Sequence, residues 1–84
     1  MNIKKILEKG FLKAKVKHEG ILQAHTFKIE KEKTPFGEVP FLISEYGLPE
    51  LELIRLVKET GLPIKCGKTK VFPPGKMPKD LVNL

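Results

Sequence analysis

The sequence is short of nearly everything from which catalytic and metal sites are built. Its single cysteine, Cys66, excludes an internal disulfide and suits a reducing compartment. His18, His25 and Cys66 are the only imidazole and thiol donors, too few and too scattered for a structural zinc site. Of 16 basic residues only Arg55 is arginine, which disfavours base reading and bidentate phosphate clamping. No apolar run approaches the ~18 residues of a membrane-spanning helix. The N-terminal MNIKKILEKG is basic but lacks the apolar stretch and cleavage site of a secretory signal. These absences predict a cytoplasmic chain that does not enter a membrane and carries no metal or cofactor. With no repeat, linker or low-complexity tract, residues 1–84 are expected to form a single small domain.

One string imitates a nucleotide site. GLPIKCGKT, residues 61–69, ends in the Gly-Lys-Thr of a phosphate-binding loop. One residue too many separates Gly61 from Gly67, Leu62 stands where the first glycine is required, and Val71 and two prolines follow instead of a helix. It reads as a turn. Neither His25 nor Cys66 has a neighbouring motif that would complete a catalytic group, so no catalytic residue is assigned and the chain is read as a non-enzyme.

What is present is a clear helix with strands before it. In GLPELELIRLVKETGLP, residues 47–63, Pro49 suits the first helical position, Glu50 and Glu52 place negative charge in the first turn, and Gly61 and Pro63 end the helix. Leu53, Ile54, Leu56 and Val57 share one arc, whereas Leu51 projects among the polar residues. A short helix over residues 2–9, capped by Asn2 and stopped by Gly10, precedes it. From Phe11 the period becomes two: Leu12, Ala14 and Val16 alternate with Lys13, Lys15 and Lys17, which predicts a strand with one wet face. His18, Glu19 and Gly20 form a turn.

Ile21–Lys33 reads as a long strand that changes phase between Leu22/Ala24 and Phe27/Ile29, so a bulge is expected near Gln23–Thr26, with KIEKEK running into water. Thr34–Gly37 makes the next turn, and Val39, Phe41 and Ile43 share a face of a strand that Pro40 marks as an edge or as bulged. Residues 63–74 read as a hairpin turning at Cys66 and Gly67 in preference to one kinked strand, and MPKDLVNL as a terminal helical turn. The expected fold is α+β: an antiparallel sheet of three main strands, one helix over about 49–60 on a face, a short N-terminal helix and a C-terminal β-hairpin.

Over residues 2–60 the order helix, three strands, helix resembles, in element order, the double-stranded-RNA-binding domain. That family grips phosphates with lysines at the start of its second helix; Pro49, Glu50 and Glu52 stand there in this chain, so no family residue carries over.

The charge is uneven. Residues 1–17 hold six lysines against Glu8, leaving +5; residues 61–84 hold five against Asp80, leaving +4; the middle is acidic, and the total is +6. If the ends converge, Lys13, Lys15 and Lys17 join Lys65, Lys68 and Lys70 as a nucleic-acid-binding patch. The first functional expectation is therefore a non-enzymatic module contacting nucleic-acid backbone. The second is a protein-interaction or homodimerisation module using the Pro40 edge strand and exposed Leu51 or Phe36. Abundant lysine and glutamate is equally the composition of a thermophile surface.

Overall fold

A computed structural model describes residues 3–82 and 84; the expected cap at Asn2 lies outside them. The elements are α1 (Ile3–Lys9), β1 (Phe11–His18), β2 (Ile21–Thr34), β3 (Gly37–Ser44), α2 (Glu50–Thr60), β4 (Ile64–Cys66) and β5 (Thr69–Val71), followed by a 3-10 turn over Pro78–Asp80. The α+β class and both helices are as expected. The sheet is not: it has five strands in the order β1-β2-β3-β4-β5, and β4 lies parallel to β3 while the other pairs are antiparallel. The helix α2 supplies the crossover that a parallel pair requires.

Three hairpins set the register, each with a two-residue turn. His18 pairs with Ile21 across Glu19 and Gly20, both at positive φ (53° and 78°). That is the mirror-type turn whose twist suits a hairpin, and Glu19 takes the left-handed conformation together with Gly20. Thr34 pairs with Gly37 across Pro35 and Phe36, and Thr34 Oγ1 accepts from the Phe36 N–H (3.2 Å) while donating to the Gly37 carbonyl (2.7 Å). Cys66 pairs with Thr69, so the last hairpin turns at Gly67–Lys68, one residue beyond the expected place.

The expected bulge in β2 is absent. Pairing with β1 runs unbroken from Phe11↔Lys28 to His18↔Ile21, so one phase holds along the strand. Gln23, His25, Phe27 and Ile29 share the face of Leu12, Ala14 and Val16, and Leu22 and Ala24 stand on the other face, exposed. Two apolar residues on a wet face need no re-phasing when no strand or helix covers them. β2 is flanked by β1 along its first half and by β3 along its second, with Lys28 paired on both sides. KIEKEK accordingly pairs with β3 rather than running free, although most of it remains exposed.

The Pro40 strand is the middle strand, not an edge. The Leu42 N–H points to the β4 side and donates to Pro63 O (2.9 Å). Two residues earlier, Pro40 turns its donorless nitrogen the same way, beyond the start of β4, where no ladder bond is lost.

Each face of the sheet carries a core. On one, α2 buries Leu53, Leu56 and Val57 against Leu12, Ala14, Val16, Phe27, Leu42 and Ile64. Pro49 caps α2 instead of opening it, and Gly61 at φ 74° closes it with its N–H on Val57 O. On the other, the C-terminal segment folds back so that Leu81 covers Val39 and Phe41, joined by Phe72 and Val82. This second core covers the β3 part of that face and leaves the β1–β2 part bare.

Candidate functional site

The bare part of the outer face is a two-stranded ribbon. Period-two alternation places Lys13, Lys15 and Lys17 outward from β1, all exposed, with Thr26, Ala24 and Leu22 as their cross-strand neighbours on β2. No carboxylate shares those pairs. Among the described residues, none of the three lysines makes an ion pair within 4.0 Å. Adjacent lysines on one strand face are spaced by roughly 6.6 Å, two residues at about 3.3 Å.

Lys65, Lys68 and Lys70 are placed differently. The strand order puts β1 at one edge and the β4–β5 hairpin at the other, with β2 and β3 between them. Lys65 and Lys70 point to the same outer face as the β1 lysines, but Glu32 of β2 holds both, Lys70 at 2.5 Å and Lys65 at 4.0 Å. The Lys70 hydrogen bond is the main reason that the Glu32 carboxyl lies below the usual glutamate range. Lys70 also lies 5.5 Å from the Phe41 ring centre. Lys68 sits on the hairpin turn. The six lysines therefore fall in two places: Lys13, Lys15 and Lys17 on β1, outside any ion pair within 4.0 Å among the described residues, and Lys65, Lys68 and Lys70 on the hairpin, where Glu32 partly offsets the charge of Lys65 and Lys70.

Part of the backbone edge of β1 is capped by α2. The Lys17 N–H donates to Glu52, and Arg55 donates to the Lys15 carbonyl at 2.9 Å. Arg55 is fixed by Glu52 and Glu59, each at 3.0 Å. The Arg55 hydrogen bond, then the Lys17 N–H, pulls the Glu52 carboxyl below its ordinary range. Helix side chains thus satisfy the Lys15 carbonyl and the Lys17 N–H of this strand edge, and the Lys17 ammonium adds to the pull on the Glu52 carboxyl. Nothing local in the sequence says which strand Glu52 and Arg55 meet.

A second feature escaped the sequence reading. A groove of about 440 Å³ is lined by His18, Gln23, Ala24, His25, Thr26, Glu45 and Tyr46. The His25 ring lies 5.2 Å from Tyr46 and 6.4 Å from His18, with its Nε2 3.2 Å from Gln23 Oε1. The loop wall is anchored by Ser44 Oγ (2.7 Å) and Cys66 Sγ (3.0 Å), both donating to the Tyr46 carbonyl, which gives the cysteine a structural role. No nucleophile or orienting carboxylate meets either imidazole in the hydrogen bonds of the described residues, and they contain no cluster of three or more metal-binding side chains.

The chain matches no protein-family model, no curated protein and no solved structure.

Proposed function

We propose that the protein is a non-enzymatic module that holds nucleic-acid backbone on the outer face of the β1–β2 ribbon. The observation that carries this reading is the row Lys13, Lys15 and Lys17, exposed, with no carboxylate among their cross-strand partners and no ion pair within 4.0 Å among the described residues, Lys17 alone lying near enough to Glu52 to act on its carboxylate. A two-stranded ribbon has the width that a duplex major groove admits, and lysines hold phosphates without reading bases. Lys65 and Lys70 take a lesser part, since phosphate must compete with Glu32 for them.

Titration of a labelled duplex at two salt concentrations tests the proposal. Three phosphate contacts predict a loss of roughly 40-fold in affinity between about 50 and 200 mM salt, each contact adding about 0.9 to the logarithmic slope. Replacing Lys13, Lys15 and Lys17 by Gln should lower affinity and reduce the slope by about one unit per contact, with little change in melting temperature. Gln at Lys65 and Lys70 should cost less affinity. No binding to DNA or RNA at the lower salt defeats the reading.

A further inference from the structure

Glu52 and Arg55 cap the Lys17 N–H and the Lys15 carbonyl on the outer edge of β1, and a second, uncapped edge runs along β2. β3 pairs with β2 only from Lys28 onward, so among the described residues no strand pairs with β2 between Ile21 and Thr26 on that side, and only the loop residues Glu45 and Tyr46 flank the gap at its Thr26 end. Two bonds fix which groups face the gap. The Lys17 N–H points away from β2, and the Ile29 N–H donates to Gly10 O of the chain leading into β1 (3.0 Å). Odd residues of β2 therefore bond to β1, and Leu22, Ala24 and Thr26 present their N–H and C=O groups to the open side. Edge strands are normally blunted by charge, proline or a bulge. Ile-Leu-Gln-Ala-His-Thr contains no proline, lysine or carboxylate, and its pairing with β1 is unbroken. Ile21 and Leu22 are 61% and 63% exposed, and Tyr46, against His25, is 62% exposed.

We infer that this edge pairs with the same edge of a second copy, antiparallel, about a two-fold axis at Gln23. In that register Leu22 of each copy faces Ala24 of the other, and both residues exchange their open N–H and C=O groups. Ile21 comes to face His25, and Gln23 faces itself. The Glu19–Gly20 turn of each copy ends beside Thr26 of the other, at the groove bounded by Glu45 and Tyr46. Chemistry favours a second copy over a foreign acidic strand, because the edge is neutral and the nearest free lysines lie one strand away. Two chains of net charge +6 can meet there: the lysine rows of their β1 strands stay roughly 14 Å apart, three gaps of about 4.8 Å, beyond the screening length of about 8 Å at physiological salt. Pairing aligns Lys15 of one copy with Lys17 of the other across an apolar strip of Leu22 and Ala24, which doubles the basic row. The inference does not depend on nucleic-acid binding.

Sedimentation equilibrium of the full chain without nucleic acid, at about 0.1 mM protein and physiological salt, should give twice the 9.5 kDa mass. Gln23→Lys and Gln23→Glu each set like charges against each other at the axis and should be monomeric. An equimolar mixture of the two should regain the dimer mass, because opposite charges then meet. Ala24→Pro removes one outward donor without touching the ladder to β1, and should also give a monomer. A wild-type monomer at this concentration overturns the inference, as do Gln23 variants that remain dimeric separately or fail to recombine. Thermal melts confirm that each variant is folded, and if Ala24→Pro unfolds, the Gln23 pair decides alone.

Discussion

Leu51 and Leu53 lie two residues apart on α2 in opposite surroundings: Leu53 is 3% exposed within the main core and Leu51 80% exposed. Truncating a packed leucine removes transfer free energy and leaves a cavity, so Leu53→Ala should cost about 2–5 kcal/mol, whereas Leu51→Ala should cost under about 0.5 kcal/mol. Denaturant melts of the two variants check this, and comparable losses would contradict the observed rotation of the helix. Gly61 is decided at the same scale. It closes α2 at φ 74°, and an added Cβ would lie 3.0 Å from Ile3 Cδ1 of α1, so backbone strain and a close contact both oppose any side chain there.

At the scale of elements, α2 acts on β1 twice: its apolar arc covers the inner face and its polar flank caps part of the edge. Glu52 is central, taking the Lys17 N–H and orienting Arg55 toward the Lys15 carbonyl. Its carboxyl and that of Glu32 both lie below the ordinary glutamate pKa of 4.5. A carboxyl depressed in the folded state adds stability above its unfolded pKa, and that stability is lost as pH falls through the folded value. The melting temperature should therefore be level from neutral pH to about 5 and decline in acid below the usual glutamate range. Glu52→Gln should lower the plateau and flatten the decline, as a pH series of melts would show. Arg55→Ala should cost of order 1 kcal/mol, since water competes for a side chain 38% exposed.

For the whole molecule, the arrangement of charge matters more than its total. Within a net charge of +6, Lys13, Lys15 and Lys17 on β1 and the hairpin lysines, of which Glu32 holds Lys65 and Lys70, stand at opposite edges of the sheet. Salt should act on the two proposed associations with opposite sign. It releases the advantage of binding a polyanion, so nucleic-acid affinity falls. It screens repulsion between two basic chains, so the edge-paired dimer strengthens. Measuring dimer mass and duplex affinity across one salt series tests both, and a dimer that weakens with salt would contradict a neutral edge as its contact.

Local chemistry determined much of this protein. The alternation in FLKAKVKH, the arc and stop of α2, and the turns at Glu19–Gly20, Thr34–Gly37 and Gly67 are all written in neighbouring residues, because side-chain period and backbone freedom act over a few positions. The lysine row on β1 was legible for the same reason. Tertiary structure alone decided the strand order, the parallel β3–β4 pair, the phase of β2, the interior place of Pro40, the capture of Lys65 and Lys70 by Glu32, and the edges that are closed or open. Each depends on which segments become neighbours across the sheet. That choice is made by the joint burial of distant apolar faces and the pairing of distant backbone groups, and it leaves no periodic trace in any single stretch of chain.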